Sequence, residues 1–208
     1  MRTVKATVTD LLSPVIVTKI NLHSLPYFEP NVSINIQEMD YDNGGHIRDW
    51  IEIHNGAFKR NWKRAEFERA MTGNKTVRVI KTFFLNKNGV PVGTASIGNY
   101  HANNRIGTGH YLCLMPEFQG KGLGKYLAHF RYNELKKLNF SEAESETRIN
   151  CTKSIYIHFE LGFEPKNKMD PWNSARGSSM VPETIASARL NRLHESWMKT
   201  KTTGGYFP

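Results

Sequence analysis

The stretch PEFQGKGLGKYL, residues 116–127, places Gly120, Gly122 and Gly124 at alternate positions between an apolar strand-like run and a long helix-like run. That junction limits the fold more than any other part of the chain. Three glycines ahead of a helix let a ligand come close to the main chain. The first N–H groups of a helix have no internal partner, and its dipole is positive at that end. The combination suits an anion, above all a phosphate, and Lys121 and Lys125 add positive charge. For any one of these glycines, turn geometry alone is a sufficient reason. A strand, a proline, spaced glycines and a helix together point to a phosphate cradle.

The flanking elements follow from periodicity. VSINIQEM alternates apolar and polar residues and reads as a strand. GGHIRDWIEIHNGAF, from residue 44, carries Ile47, Trp50, Ile51 and His54 at helical spacing. KRAEFERAMTG reads as a second helix stopped by Gly73. Two strands then meet at Asn88-Gly89, a hairpin signal. TGHYLCLM is a further strand, and GLGKYLAHFRYNELKKL is a long helix. SEAESETRIN holds a short strand, and TKSIYIHFELGF a helix that Gly162 can close. The order β, α, α, β, β, β, α, β, α implies a mixed α/β fold, in which an antiparallel meander feeds a βαβα half.

The ends lie outside this pattern. VKATV at 4–8 and VIVTKI at 15–20 read as N-terminal strands, followed by a Pro-containing linker. After Phe163 the chain turns polar. A helix near 182–199 then places Ala186, Leu190, Leu193 and Trp197 on one face, expected to dock within the chain or across a homodimer. TTGGYFP looks like a loose end. The expected organisation is an extension over 1–30, a core over 31–165 and a C-terminal extension over 166–208.

Among nucleotide-binding patterns, two fail. The Walker pattern needs Gly-Lys-Ser/Thr, and Gly124-Lys125 is followed by Tyr126. In the dinucleotide pattern the third glycine would fall one residue later than Gly124. What fits is Gln119-x-x-Gly122-x-Gly124. In this the chain resembles the GNAT superfamily of N-acetyltransferases, whose pyrophosphate signature is Q/R-x-x-G-x-G/A between a central strand and a helix. Asn150, Ser154 on the next helix, and ELGF at 160–163 extend the resemblance. It is strong in the second half of the core and weaker before residue 75.

The resemblance implies a GNAT-like, mostly antiparallel, splayed sheet flanked by helices. It also implies acetyl-CoA as co-substrate and direct attack by a primary amine in a ternary complex. The backbone of Leu114 would pair with the pantetheine arm. The N–H groups of Gln119, Gly120, Lys121, Gly122, Leu123 and Gly124 would hold the pyrophosphate, with Lys125 beside them. Asn150 and Ser154 would contact the cofactor, although Asn150 also reads as a helix N-cap. Family members usually donate the thiolate proton from a tyrosine four residues before the glycine of the Gly-Phe pair. Here that position is His158, and Tyr156 is two residues off. His158 is thus the candidate acid, with core packing as the alternative. His110 is the candidate base, expected to share a strand face with Thr108, Leu112 and Leu114; an ordinary strand histidine is the plainer reading.

Trp50, His54, Phe58 and Trp62 would line the acceptor site as an aromatic wall with polar tips, or else pack in the core. The acceptor is a small-molecule or peptide amine whose identity the sequence does not name. A net charge of +9 suggests an anionic partner. KRNWKRAEFER interleaves basic and aromatic residues, but Glu66 and Glu68 break it as on a solvated helix face, which disfavours nucleic acid. A silent acyl-CoA-binding module and a basic nucleic-acid binder are the alternatives. Cys113 and Cys151 form neither a disulfide framework nor a metal pattern, so the expected setting is cytoplasmic and no metal is expected. No segment is long and apolar enough to suggest a membrane span.

Overall fold

The computed structural model describes residues 15–26, 34–72, 77–100, 103–166 and 183–202. In chain order the elements are β1 (Val15–Asn21), a 3-10 turn (Leu22–Ser24), β2 (Asn35–Glu38), α1 (Gly44–Phe58), α2 (Arg64–Met71), β3 (Val77–Lys87), β4 (Val90–Tyr100), β5 (Asn103–Leu114), a second 3-10 turn (Pro116–Phe118), α3 (Leu123–Lys137), β6 (Glu142–Arg148), α4 (Thr152–Glu160), β7 (Glu164–Lys166) and α5 (Glu183–Thr202). The architecture is the expected mixed α/β one. The strand expected at 4–8, the stop at Gly73 and the tail beyond Thr202 lie outside the described residues. The chain forms two compact units, Ile20–Glu144 and Met1–Lys19 with Ser145–Pro208.

In the first unit, β2, β3, β4 and β5 form an antiparallel meander in that order. The β3–β4 hairpin turns at Asn88 and Gly89, whose φ values of 53° and 79° suit the twist of the flanking strands. Helices α1 and α2 cover one face: Ile47, Trp50, Ile53, Phe67 and Ala70 pack with Phe84 and Cys113. Helix α3 covers the other, where Leu123 and Leu127 meet Leu85, Val92, Ala95 and Leu114. Each large apolar side chain so buried contributes about 1.5–3 kcal/mol by leaving water.

Helix α1 starts where Asn43 accepts from the N–H groups of Gly45 and His46, satisfying two orphan donors. It stops at Lys59, which is left-handed at φ 51°. Helix α3 approaches β5 closely at Gly109. A Cβ there would lie 2.6 Å from Arg131 Cζ and 2.7 Å from the Tyr132 hydroxyl, so only glycine fits.

In the second unit, β1 and β7 pair antiparallel, with Val17 opposite Lys166 and Lys19 opposite Glu164. The short EPK strand after the Gly-Phe turn thus has an N-terminal strand as its neighbour. Helix α5 docks within the chain. Leu190 and Trp197 are buried with Ile149, Ile155 and Phe159, and Leu193 packs at the margin. The Phe159 ring meets His194 at 4.8 Å and Trp197 at 5.9 Å. This packing uses the face expected from the sequence.

Candidate functional site

The glycine segment opens α3 without a side-chain cap. Gly120 and Gly122 have φ values of 74° and 76°, and a Cβ on either would meet nothing within 4 Å. Backbone conformation, not space, is what calls for glycine there. Among the described residues, no backbone carbonyl accepts from the N–H groups of Gly120 to Gly124. These donors lie at the positive end of a 15-residue helix. One expectation changes: the Gln119 N–H donates to Pro116 O at 3.2 Å and is not among them. The tight 3-10 turn before it captures that donor. The Gln119 side chain instead donates to Leu114 O at 3.0 Å, tying the segment to the end of β5. That carbonyl retains a second lone pair. Lys121 Nζ donates to Glu117 O at 2.9 Å.

β5 itself departs from a regular strand. Thr94 pairs with Cys113 but Ser96 pairs with His110, so Tyr111 and Leu112 together oppose Ala95. Tyr111 sits at φ 49°, a left-handed position for a bulky residue. The Thr94 hydroxyl donates to Tyr111 O at 3.0 Å and so satisfies the bulged carbonyl. This bulge flips the alternation beyond it. His110 therefore shares its face with Thr108, Tyr111 and Cys113, while Leu112 and Leu114 turn toward α3. The expected grouping of His110 with Leu112 and Leu114 is corrected by that one extra residue.

His110 bonds Thr108 Oγ1 through Nε2 at 2.7 Å. Burial, and then the positive Arg131, push its pKa down to about 4. The ring is neutral at physiological pH. Arg131, itself buried, donates to His110 O at 3.4 Å and to the Tyr132 hydroxyl at 2.8 Å. Nothing in the sequence pattern singled out this arginine, because a basic residue on an amphipathic helix is read as solvated.

The aromatic residues of α1 divide into two sets. Trp50 and His54 have no exposed surface. Their rings stack at 3.6 Å, and Trp62 and Tyr111 close around them. His54 Nδ1 donates to Trp50 O at 2.9 Å, and its Nε2 faces Cys113 Sγ at 3.6 Å. Burial lowers the His54 pKa to about 4 and raises the Cys113 pKa to about 12. Trp50 and His54 are core residues in this structure. The part of the wall that a ligand can reach is Phe58, 45% exposed, and the edge of Trp62.

Asn150, Ser154 and His158 lie in the second unit. Cys151, not Asn150, is the N-cap of α4, and its side chain caps nothing. Asn150 is exposed, and its Oδ1 lies 3.7 Å from Cys151 Sγ. His158 is buried, with Nδ1 donating to Ser154 O at 2.6 Å and its ring edge-on to Phe163. That bond makes Nδ1 the protonated nitrogen of the neutral ring. Among the described residues, no group of three or more His, Cys, Asp or Glu could hold a metal ion.

The acetyltransferase (GNAT) family profile matches residues 47–163, more than half of the chain. The chain belongs to the GNAT acetyltransferase family. The match takes in the glycine segment, the bulged strand and the Gly-Phe turn. Solved structures repeat the GNAT fold at low identity. A GNAT-family protein of Novosphingobium aromaticivorans is 12% identical with a TM-score of 0.54, over 74% of this chain and 60% of that one. The ribosomal-protein-S18-alanine N-acetyltransferase of Escherichia coli is 20% identical with a TM-score of 0.52, over 64% and 78%. A GCN5-related N-acetyltransferase of Sphaerobacter thermophilus is 16% identical with a TM-score of 0.54, over 74% and 49%. The chain thus spans about half to three-fifths of the first and third of these. Among curated proteins, none matches this chain.

Proposed function

We propose that the chain is an N-acetyltransferase that moves an acetyl group from acetyl-CoA to a primary amine. The observation that carries this reading is the run of N–H donors at Gly120–Gly124, on left-handed glycines, opening α3 at the end of the bulged strand. That donor set fits a diphosphate: several N–H groups without backbone acceptors, a helix dipole and lysine side chains. When bound, acetyl-CoA supplies the thioester.

The chain's own groups have these roles. Gly120, Lys121, Gly122, Leu123 and Gly124 hold the diphosphate, with Lys125 adding charge. Leu114 offers main-chain bonds to the pantetheine arm, and Asn150 and Ser154 further cofactor contacts. His110 is neutral and takes the proton of the attacking amine nitrogen as the C–N bond to the thioester carbonyl forms, with Thr108 orienting the ring. A pKa of about 4 makes it a weak base, effective only toward a nitrogen already acidified by the new bond. His158, at the position where related sequences carry the tyrosine acid, protonates the departing thiolate.

Thiol release from acetyl-CoA over a panel of primary amines tests this reading. Amine-dependent release, lowered at least tenfold by His158→Ala with KM for acetyl-CoA unchanged, is the expected result. Acetyl-CoA binding without release over the whole panel would contradict the enzyme reading and leave a silent acyl-CoA-binding module.

A further inference from the structure

Among the described residues, four that are not glycine have a left-handed backbone. Lys59 ends α1, Asn88 forms the hairpin turn and Asn139 follows α3; Tyr111 lies inside a strand. Asparagine tolerates that conformation, and a helix end commonly adopts it. A tyrosine in mid-strand carries the strain in full. Glycine or asparagine would serve the bulge with less strain, so the backbone does not account for this side chain.

Packing accounts for the ring of Tyr111 but not for its hydroxyl. The ring meets Trp50 edge-on at 5.8 Å and His54 edge-on at 6.0 Å. Phenylalanine would make the same contacts. Among the described residues the hydroxyl has no hydrogen-bond partner. Tyr111 is half-buried, and its hydroxyl, unlike the indole N–H of Trp50, is not sealed from solvent. Burial raises its pKa, so near neutral pH it is a phenol that can both donate and accept a hydrogen bond.

The bulge sets this phenol beside the proposed base. In a regular strand Tyr111 and His110 would point to opposite faces. Here they share one, with ring centres 6.1 Å apart. The Thr94 hydroxyl holds Tyr111 O at 3.0 Å and so fixes the backbone from which the phenol projects.

A primary amine attacking a thioester brings a lone pair and two N–H groups. The lone pair forms the C–N bond. The C–S bond breaks, and the thiolate takes its proton from His158. One N–H proton goes to His110. The second N–H still needs an acceptor, since a polar hydrogen left unpaired away from water is unfavourable. We propose that Tyr111 sets specificity for the acceptor: its hydroxyl oxygen accepts this second N–H and so turns the lone pair toward the thioester. The inference rests on the proposed acetyl transfer with His110 as base. A secondary amine lacks the second N–H and sets a carbon against the phenol. Tyr111 therefore favours primary amines over their N-methyl counterparts.

The test uses the full chain, native and Tyr111→Phe, with benzylamine, phenethylamine, hexylamine and the N-methyl form of each. Thiol release from acetyl-CoA gives kcat/KM. In Tyr111→Phe the value for primary amines should fall about tenfold, and that for N-methyl amines should stay within about twofold. Tm and acetyl-CoA affinity should stay native, because the hydroxyl has no protein partner to lose. An unchanged value for primary amines, an equal fall for both classes, or a lower Tm would overturn the inference. Binding is read separately, from the Cζ resonance of Tyr111 in carbon-13-labelled protein, assigned with Tyr111→Phe. The primary amines are added in the presence of CoA, which has no acetyl group to give. At least one should shift that resonance saturably; no shift with any of them would also overturn the inference. A shift without thiol release from any amine would count against the proposed acetyl transfer and keep Tyr111 as an amine-binding residue. Thiol release with an indifferent Tyr111→Phe would sink this inference alone.

Discussion

Cys113 Sγ and His54 Nε2 lie 3.6 Å apart in the core beneath the α1–α2 loop. The pair is neutral, thiol and imidazole, because burial raises the one pKa to about 12 and lowers the other to about 4. It is not a nucleophile and base, since a thiolate there would be desolvated and unpaired. The thiol sits between His54 and the Thr94 hydroxyl, 3.4 Å away, which in turn holds the bulged carbonyl of Tyr111. The core of the helix pair and the bulge of the central strand are thus joined through one sulfur.

Cys113 should resist thiol reagents. Ellman's reagent on the native protein is expected to titrate the exposed Cys151 quickly and Cys113 only after denaturant is added. Rapid reaction of both thiols in the native state would show that the core opens readily.

His54 should make the fold sensitive to acid. Its folded pKa lies below the ordinary value near 6.5. The unfolded chain therefore takes up the proton first, and stability is lost as pH falls from that value toward about 4. From about pH 7 to about pH 5 this one group removes about 2 kcal/mol. Urea midpoints at the two pH values should drop more in the native sequence than in His54→Asn. Parallel losses in the two proteins would contradict the assignment.

Thr94→Val keeps the shape and deletes the hydroxyl that serves Tyr111 O. The expected cost is about 1–3 kcal/mol for an unsatisfied carbonyl. The β5 end should also become more mobile, read as faster amide exchange at Leu112 to Leu114. Unchanged stability and exchange would mean that the bulge holds without this bond.

Trp197→Ala should destabilise the unit that contains α4 and α5 by about 3 kcal/mol, because a buried indole is lost from the Phe159 cluster. Thermal unfolding followed by a probe in that unit checks this. An unchanged midpoint would show that α5 adds nothing to the stability of the unit.

Much of the fold was legible because its signals are local. The span of α1 was marked by its glycine pair and helical spacing, and the β3–β4 turn by Asn88-Gly89. The face of α5 that docks was plain from Leu190, Leu193 and Trp197. The bulge was not legible, because nothing in HYLCL marks Tyr111 for a left-handed backbone, and missing it moved His110 to the wrong face. Arg131 was missed because its burial depends on a glycine 22 positions earlier, Gly109.

The central claim is that the backbone at Gly120–Gly124 receives the diphosphate of acetyl-CoA. Isothermal calorimetry of acetyl-CoA with the native chain and with Gly122→Ala tests it most directly. The native chain should show saturable binding to one site. Gly122→Ala should weaken that binding at least tenfold, because alanine disfavours the φ of 76° that aims these N–H groups. Its circular dichroism should stay native. No heat of binding from the folded native chain, or equal affinity in Gly122→Ala, would contradict the claim.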